Sequence, residues 1–212
     1  MLVDFIIDTI CPWCYIGKRR FDRAFQSRSH IIPDIQYRPF LLNPEMPLSG
    51  IDKAISIKQK FGSKENYDKM IKNIEEVGIS EGIKFNLKKI EKIPNSSFSH
   101  VLIQLAHTVG VHEKVVDDLL SNYFEQACDI GNLEVLKEIG MRSGLNTNEI
   151  DSAFTSENAL AAVKTQSDQI RSLGVTGVPC YIFNKTQAIS GAQEPEVLIK
   201  IIDLTEQHPK TN

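Results

Sequence analysis

The chain has 212 residues, 42% of them hydrophobic and 24% charged, with a formal net charge of −3. That composition supports a substantial core, in one large domain or one domain with an insertion, and the slight acidity argues against a general nucleic-acid binder. No apolar run approaches the ~20 residues of a membrane span, and Met1 leads straight into a strand carrying Asp4 and Asp8 without a signal-peptide pattern, so the expected compartment is the cytoplasm.

Leu2 to Ile10 reads as a strand: Val3, Phe5 and Ile7 alternate with Asp4, Ile6 and Asp8, which gives one fully apolar face. Cys11-Pro12-Trp13-Cys14 follows, and Tyr15 to Arg28 reads as a helix with Gly17, Phe21, Ala24 and Phe25 on one side. Two thiols at a strand-to-helix junction put the first at a helix N-terminus, where unpaired N–H groups and the macrodipole favour a thiolate. Pro12 suits the first turn, where its missing N–H costs nothing. One turn brings the two Cα atoms to about 5–6 Å, inside the disulfide window. The motif can therefore carry two-electron thiol–disulfide chemistry, with Cys11 attacking and Cys14 resolving. In a reducing compartment such a pair is redox-active or metal-binding more often than a staple.

A second strand is expected over Ile35 to Arg38, ending at Pro39, and Asn43 to Gly50 reads as a loop. From about residue 51 to 173 the pattern is mainly helical. Apolar stripes run through Tyr67, Met70, Ile71, Ile74 and Val77, then Val101, Leu102, Leu105 and Val109, then Val115, Val116, Leu119, Leu120, Tyr123 and Phe124. A shorter stripe holds Leu133, Leu136 and Ile139; a last helix, capped by Ser156, holds Leu160, Val163 and Ile170 and stops at Gly174. These stripes read as core faces. The small basic cluster Lys88, Lys89 and Lys92 reads as a solvated, loop-like face beside Glu91.

The end reverts to β. Cys180 to Phe183 and Ala188 to Ser190 read as strands joined by a turn at Asn184 to Thr186. Pro195 opens a final amphipathic helix with Val197, Leu198, Ile201, Ile202 and Leu204, and the residues from about Gln207 are expected to fray. A β-α-β start and a β-β-α finish, split by a helical block, is the layout of a thioredoxin-like α/β fold with a large all-helical insertion domain. Residues 1–44 and 174–212 are then two halves of one core, and 45–173 the insertion.

Several motifs carry a resemblance. They are Asp8-x-x-Cys11-Pro12-Trp13-Cys14-Tyr15-Ile16-Gly17-Lys18-Arg19-Arg20-Phe21 and Arg38-Pro39-Phe40-Leu41-Leu42-Asn43-Pro44. Further along come Pro94-Asn95 ahead of a helix with His100, Tyr123-Phe124, Gly174-Val175-x-Gly177-Val178-Pro179, and Ser190-Gly191-Ala192-Gln193. On these, over nearly its whole length, the chain resembles the FrnE-like branch of the DsbA thiol oxidoreductase family, which is related to the 2-hydroxychromene-2-carboxylate isomerases. The resemblance implies a thioredoxin core with a helical insertion, no metal, Cys11 with Cys14 as the redox pair, and a cis Val178–Pro179 bond facing the dithiol. A cis bond there turns the backbone of Val178 toward an extended, thiol-bearing substrate. Two departures stand out: Ser96 where threonine is common, and Cys180 after the proline where an aromatic residue is common. Cys180 is either a third thiol near the site or a small buried strand residue; Cys128 reads as an inert thiol at a helix end.

Other candidates have two readings each. Asp8 can take or relay a proton for the dithiol, or cap the turn into the helix. Trp13 tunes the motif and walls the substrate. Asn95 lines the cleft over Cys11, as the family pattern suggests, or caps a helix. Gln193 hydrogen-bonds a carboxylate such as that of glutathione, helped by the following helix N-terminus, or serves as a turn residue. The five histidines form no site: His100 and His107 share a helix face, but no cysteine or acidic partner completes ligand spacing.

The first functional reading is a thiol–disulfide oxidoreductase acting through a mixed disulfide on a protein or small-molecule thiol or disulfide. It needs no cofactor, and glutathione is a candidate substrate or co-substrate. The alternative is a glutathione-dependent isomerase or transferase on a small aromatic substrate; such relatives usually carry serine where this chain has Cys11. A zinc module is disfavoured, because a single Cys-x-x-Cys lacks the second ligand pair of a tetrahedral site.

Overall fold

The computed structural model describes residues 1–207, the side chains of 59–61 excepted. Four strands form one sheet in the order β2-β1-β5-β6: β1 is Leu2–Ile7, β2 Asp34–Pro39, β5 Cys180–Phe183 and β6 Gln187–Ser190. β1 pairs parallel with β2 and antiparallel with β5, which pairs antiparallel with β6. The parallel β1–β2 pair requires a crossover, supplied by α1, Pro12–Gln26. With α9, Pro195–Gln207, at the other end of the chain, this is the thioredoxin arrangement of β-α-β and β-β-α halves, here separated by a run of helices.

The period-2 pattern of β1 sorts its neighbours. Val3, Phe5 and Ile7 join the large core, where the Phe5 ring lies 5.2 Å from Phe21 of α1 and 4.5 Å from Tyr181 of β5. Ile6, on the other face, packs with Phe40 and Cys180 against Ile170 of α8, Glu157–Ser172. The sheet is thus buried on both sides, with the α1 face and the α8 face holding different side chains.

Between the halves run α2 (Lys53–Phe61), α3 (Lys64–Ser80), α4 (Ser97–Thr108), α5 (His112–Phe124), α6 (Leu133–Arg142) and α7 (Thr147–Thr155), before α8. The expected stripes point inward at Ile71, Ile74, Val101, Leu102, Val115, Val116, Leu119, Leu120, Leu136, Ile139 and Val163, all buried. Ser156 caps α8 by accepting the N–H of Ala159, and Gly174 follows the helix at φ +90°, a conformation that favours glycine.

Some expectations need correction. β1 stops at Ile7, not Ile10, because the Cys11 N–H bonds back to the Asp8 carbonyl and closes a turn. α1 starts at Pro12, as expected of a proline in the first turn, so the dithiol motif sits at its start; it ends at Gln26 rather than Arg28, where Ser27 and Arg28 turn back onto Arg23 and Phe25. Val109, Leu133 and Leu204 are exposed, and so outside the core. Lys88 and Lys89 are exposed, as expected of a solvated face, but the cluster is not a loop: Leu87–Lys89 is a 3-10 turn, and Lys92 belongs to β4 (Lys92–Ile93), which pairs with β3 (Ile51–Asp52), its ammonium 2.9 Å from Asp129. The short helices α2 and α7 carry too few apolar positions to declare themselves in the pattern. The fraying expected beyond Gln207 falls outside the described residues.

Candidate active site

Cys11 is the N-cap of α1, with extended backbone, and Pro12 fills the first helical position. The chain reaches this point because the Asp8 carboxylate accepts the Ile10 N–H at 3.3 Å and the Leu42 N–H at 2.7 Å, tying the end of β1 to the segment after β2. That segment is held in turn by Ser167 of α8, whose hydroxyl accepts the Leu41 N–H at 2.9 Å, and by Arg171, which bonds the Leu41 carbonyl over the Phe40 ring.

Cys14 is fully buried one turn into α1, while Cys11 keeps 6% of its surface exposed. Burial pushes the Cys14 thiol well above its ordinary value, and the hydrogen bond and charge of Cys11 push the same way. A backbone hydrogen bond from Asp8 opposes these, and the Asp8 charge adds to them. The two sulfurs are therefore unequal in access, Cys11 being the more accessible. Trp13, between the two cysteines in the chain, is half-buried and packed on the core.

Facing the dithiol is the turn into β5. The Val178–Pro179 bond is cis, and the Cys11 thiol donates to the Val178 carbonyl at 3.6 Å. Gly17, one turn beyond Cys14, lets α1 approach this strand: a Cβ there would lie 2.8 Å from Pro179 Cγ. The Gly191 N–H donates to the Pro179 carbonyl at 2.7 Å, so β6 and the turn after it buttress the proline.

The other expected residues fall as follows. Asn95 donates to the Met46 carbonyl at 2.7 Å and accepts the Ser97 N–H at 2.9 Å, so its amide pins the 43–50 loop and the start of α4. Gln193 donates to the Ser190 carbonyl at 2.7 Å, a contact within the turn. Cys180 points to the α8 face, away from α1, and accepts a 3.6 Å hydrogen bond from Ser190; burial pushes its thiol up. Cys128 is half-buried after α5, in the helical insertion.

Three features had no sequence forecast. Arg20, 8% exposed, meets Glu81 at 2.7 Å and Glu194 at 2.7 Å and donates to the Ala192 carbonyl at 2.6 Å, clamping the 190–194 turn to α1. His100 lies buried with Nε2 3.8 Å from Asp8 Oδ1, a contact the helix-packing reading of this residue did not specify; α4 folds onto the end of β1, where Thr9 and Ser99 hydroxyls bond at 2.6 Å. Finally, a cavity of about 150 Å³ opens beside the motif, walled by Ile10 and Pro12 on one side and Tyr67, Met70, Tyr123 and Phe124 on the other. Lys53 also lines it, bonded to the Leu87 carbonyl at 2.7 Å. The apolar stripes of α3 and α5 supplied this wall, but nothing in the pattern placed them beside the motif.

A thioredoxin-type sheet with a dithiol at the start of its first helix, opposite a cis-proline turn, defines a thiol-chemistry scaffold. Residues 2–203 match the model of the DSBA-like thioredoxin domain, and the chain belongs to that family. It is 20% identical over 202 residues to YwbO of Bacillus subtilis, an uncharacterized protein, with 92% of each chain covered. Among solved structures it is similar to one described as a probable DsbA oxidoreductase of Streptomyces coelicolor, at TM-score 0.87 and 26% identity, covering 100% of this chain and 92% of that one. Two more share the fold: a 2-hydroxychromene-2-carboxylate isomerase (TM-score 0.70, 16% identity, 98% and 95% covered) and the cytosolic disulfide reductase DsbM of Pseudomonas aeruginosa with GSH (0.70, 14%, 98% and 100%). The chain is thus a DsbA-family protein with thiol-related enzymatic chemistry.

Proposed function

We propose that this protein is a thiol–disulfide oxidoreductase whose redox pair is Cys11 and Cys14. The observation that carries the reading is the position of the pair in the first turn of α1, the more accessible Cys11 3.6 Å from the Val178 carbonyl and Cys14 buried behind it. The Cys11 thiolate attacks one sulfur of a substrate disulfide RS–SR′; the Cys11–SR bond forms and R′S⁻ leaves. Cys14, deprotonated, then attacks Cys11 Sγ, closing the Cys11–Cys14 disulfide and releasing RS⁻. The substrate gains two electrons and the protein loses two; the reverse sequence donates a disulfide. The steps need only the two sulfurs and a proton acceptor, for which Asp8, buried beside Cys14, is our candidate.

The surrounding residues fit binding and tuning roles. Pro12 and Trp13 set the start of α1 and wall the substrate. Val178 offers its backbone to an extended substrate chain, with Pro179 fixing the turn. Asn95 and Gln193 act through the loops they hold. The expected substrate is a thiol or disulfide, glutathione included, and the setting we propose is cytoplasmic, in line with the fold shared with a cytosolic reductase.

The test is a redox titration in glutathione buffers, read by mass spectrometry of trapped thiols. A two-electron transition confined to Cys11 and Cys14, with a mixed disulfide accumulating on Cys11 in Cys14→Ser, is the expected result. Its absence would overturn the reading. The apolar cavity beside Pro12 favours a second reading, a glutathione-dependent isomerase or transferase on a small aromatic compound. Turnover of such a compound surviving Cys14→Ala would establish it.

A further inference from the structure

We propose, on the oxidoreductase reading above, that the groove between α2 and α3 binds the phosphate-bearing, polyanionic head of a low-molecular-weight disulfide whose sulfur arm lies in the cavity beside the motif.

The cavity is walled by Ile10 and Pro12, the two neighbours of Cys11 in the chain. It shares Lys53, Ile57, Tyr67 and Ile71 with a wider groove of about 1030 Å³, so the two adjoin. The cavity, about 150 Å³, takes one ring or a short unbranched arm. The groove has the volume of a small-molecule site. To Lys53 it adds Lys58, Lys64, Lys72 and Lys88, and the acids lining it are Asp68 and Glu75. The whole chain carries a net charge of −3, so five lysines against two acids is a local reversal of sign.

These cations are poorly matched from within the protein. Among the described residues, Lys58, Lys64 and Lys88 form no ion pair. Lys72 reaches Glu76 only at 3.8 Å, with both side chains exposed. Lys53 opens α2 and Lys64 opens α3, each at the positive end of a helix dipole, where a cation is disfavoured. The Lys53 ammonium lies 5.5 Å from the centre of the Tyr67 ring and donates to the Leu87 carbonyl at 2.7 Å. Burial pulls its pKa down, against the opposing charge of Asp68. An anion in the groove relieves each of these mismatches.

The kind of anion follows from the donors. Among the described lining residues there is no arginine, so no planar fork is offered to a single carboxylate. Lysines are point charges on flexible arms, which suit several oxygens at unequal distances. Lys64 and Lys72 stand two turns apart on α3, about 12 Å along its axis. A single carboxylate reaches one or two of these lysines; a head with several phosphates spans them.

The chemistry is that of the redox pair. The reduced protein and RS–SR, where R carries the head, give the Cys11–Cys14 disulfide and two RSH. Two electrons pass to the substrate sulfurs, and the two thiol protons end on the released thiols.

The experiment compares coenzyme A disulfide with pantethine, which has the same sulfur arm without the phosphates. Each oxidises the reduced protein in a single turnover, quenched in acid, with the Cys11–Cys14 disulfide followed by mass spectrometry. At low salt the wild-type rate constant should be at least about tenfold higher for coenzyme A disulfide. Salt of about 1 M, where the Debye length is about 3 Å, should remove most of that preference. Lys58→Glu, Lys64→Glu and Lys88→Glu together should slow coenzyme A disulfide about tenfold, at two- to threefold per exposed contact, and change pantethine by less than about twofold. Equal wild-type rate constants for the two disulfides, or a preference that survives the triple substitution, would overturn the proposal. Oxidised glutathione, which bears carboxylates and no phosphate, should lose less than about threefold in the triple variant; a loss equal to that of coenzyme A disulfide would overturn the phosphate assignment. Failure of pantethine and coenzyme A disulfide alike to oxidise the pair would instead overturn the oxidoreductase reading, and this proposal with it.

Discussion

Gly17→Ala should damage both stability and catalysis, although alanine is the better helix former. The gain in helix propensity is about 1 kcal/mol. Against it stands a clash. The added Cβ would meet the Tyr181 hydroxyl and lie 2.8 Å from Pro179 Cγ and 3.3 Å from Pro179 Cβ. Neither neighbour can give way easily. The Tyr181 ring is fully buried and stacked on Phe21 at 5.5 Å, and Pro179 is held by the Gly191 N–H at 2.7 Å. Overpacking of this kind costs about 1–3 kcal/mol, and the pinned neighbours place it in the upper half of that range. The net loss is about 1–2 kcal/mol, a fall in melting temperature of about 2–8 °C for a chain of this size. The strain is relieved by moving Pro179 off α1, which carries the Val178 carbonyl away from Cys11. Disulfide-exchange kcat/KM should drop about ten- to hundredfold, the scale of an ångström-sized misplacement. Gly177→Ala is the control, since a Cβ at Gly177 meets nothing within 4 Å. Calorimetry and an exchange assay on both variants decide the matter. Gly17→Ala melting at or above the wild-type temperature with full activity would refute the close-approach argument.

Glu81→Gln keeps the shape but removes the charge that Arg20 meets at 2.7 Å and Arg23 at 2.8 Å, with the Glu81 side chain only 3% exposed. Breaking such a pair costs about 3 kcal/mol, the low end for buried pairs because Arg20 retains Glu194; a denaturant midpoint showing under about 0.5 kcal/mol would mean the clamp is idle. Cys180→Ala should retain both kinetic phases of disulfide exchange, because its sulfur lies on the α8 side of the sheet; loss of either phase would make it a participant. Stability should also fall at alkaline pH. Burial first, then Glu125 for Tyr15 and Asp68 for Tyr67, push these phenols up to about 12. Their contribution is whole below pH of about 10, where the unfolded phenols keep their protons, and is lost as pH rises through about 12. Urea midpoints at successive pH values should show a decline that is smaller in Tyr67→Phe; equal declines would count against the Tyr67 part.

The parts of this molecule that the sequence made legible are those governed by neighbours along the chain. Alternation in Val3 to Ile7 reveals a strand because pleating has period 2. Cys11-Pro12-Trp13-Cys14 reveals two neighbouring thiols because one helical turn sets both sulfur positions. Even the orientation of Cys180 was open to inference: Tyr181 and Phe183 lie on the α1 face, so Cys180 and Ile182 must lie on the other. The charged contacts around the dithiol are different in kind. Asp8 and His100 are brought together by α4 docking on the end of β1, and Arg20 and Glu81 by the end of α3 packing on α1. Neither pair has a spacing that a pattern could register, because the intervening helices can vary in length without moving the contact. A dithiol motif therefore states which bonds can be exchanged, whereas the speed and pH range of exchange are set by residues outside it. Two proteins with the same four-residue motif can differ in both.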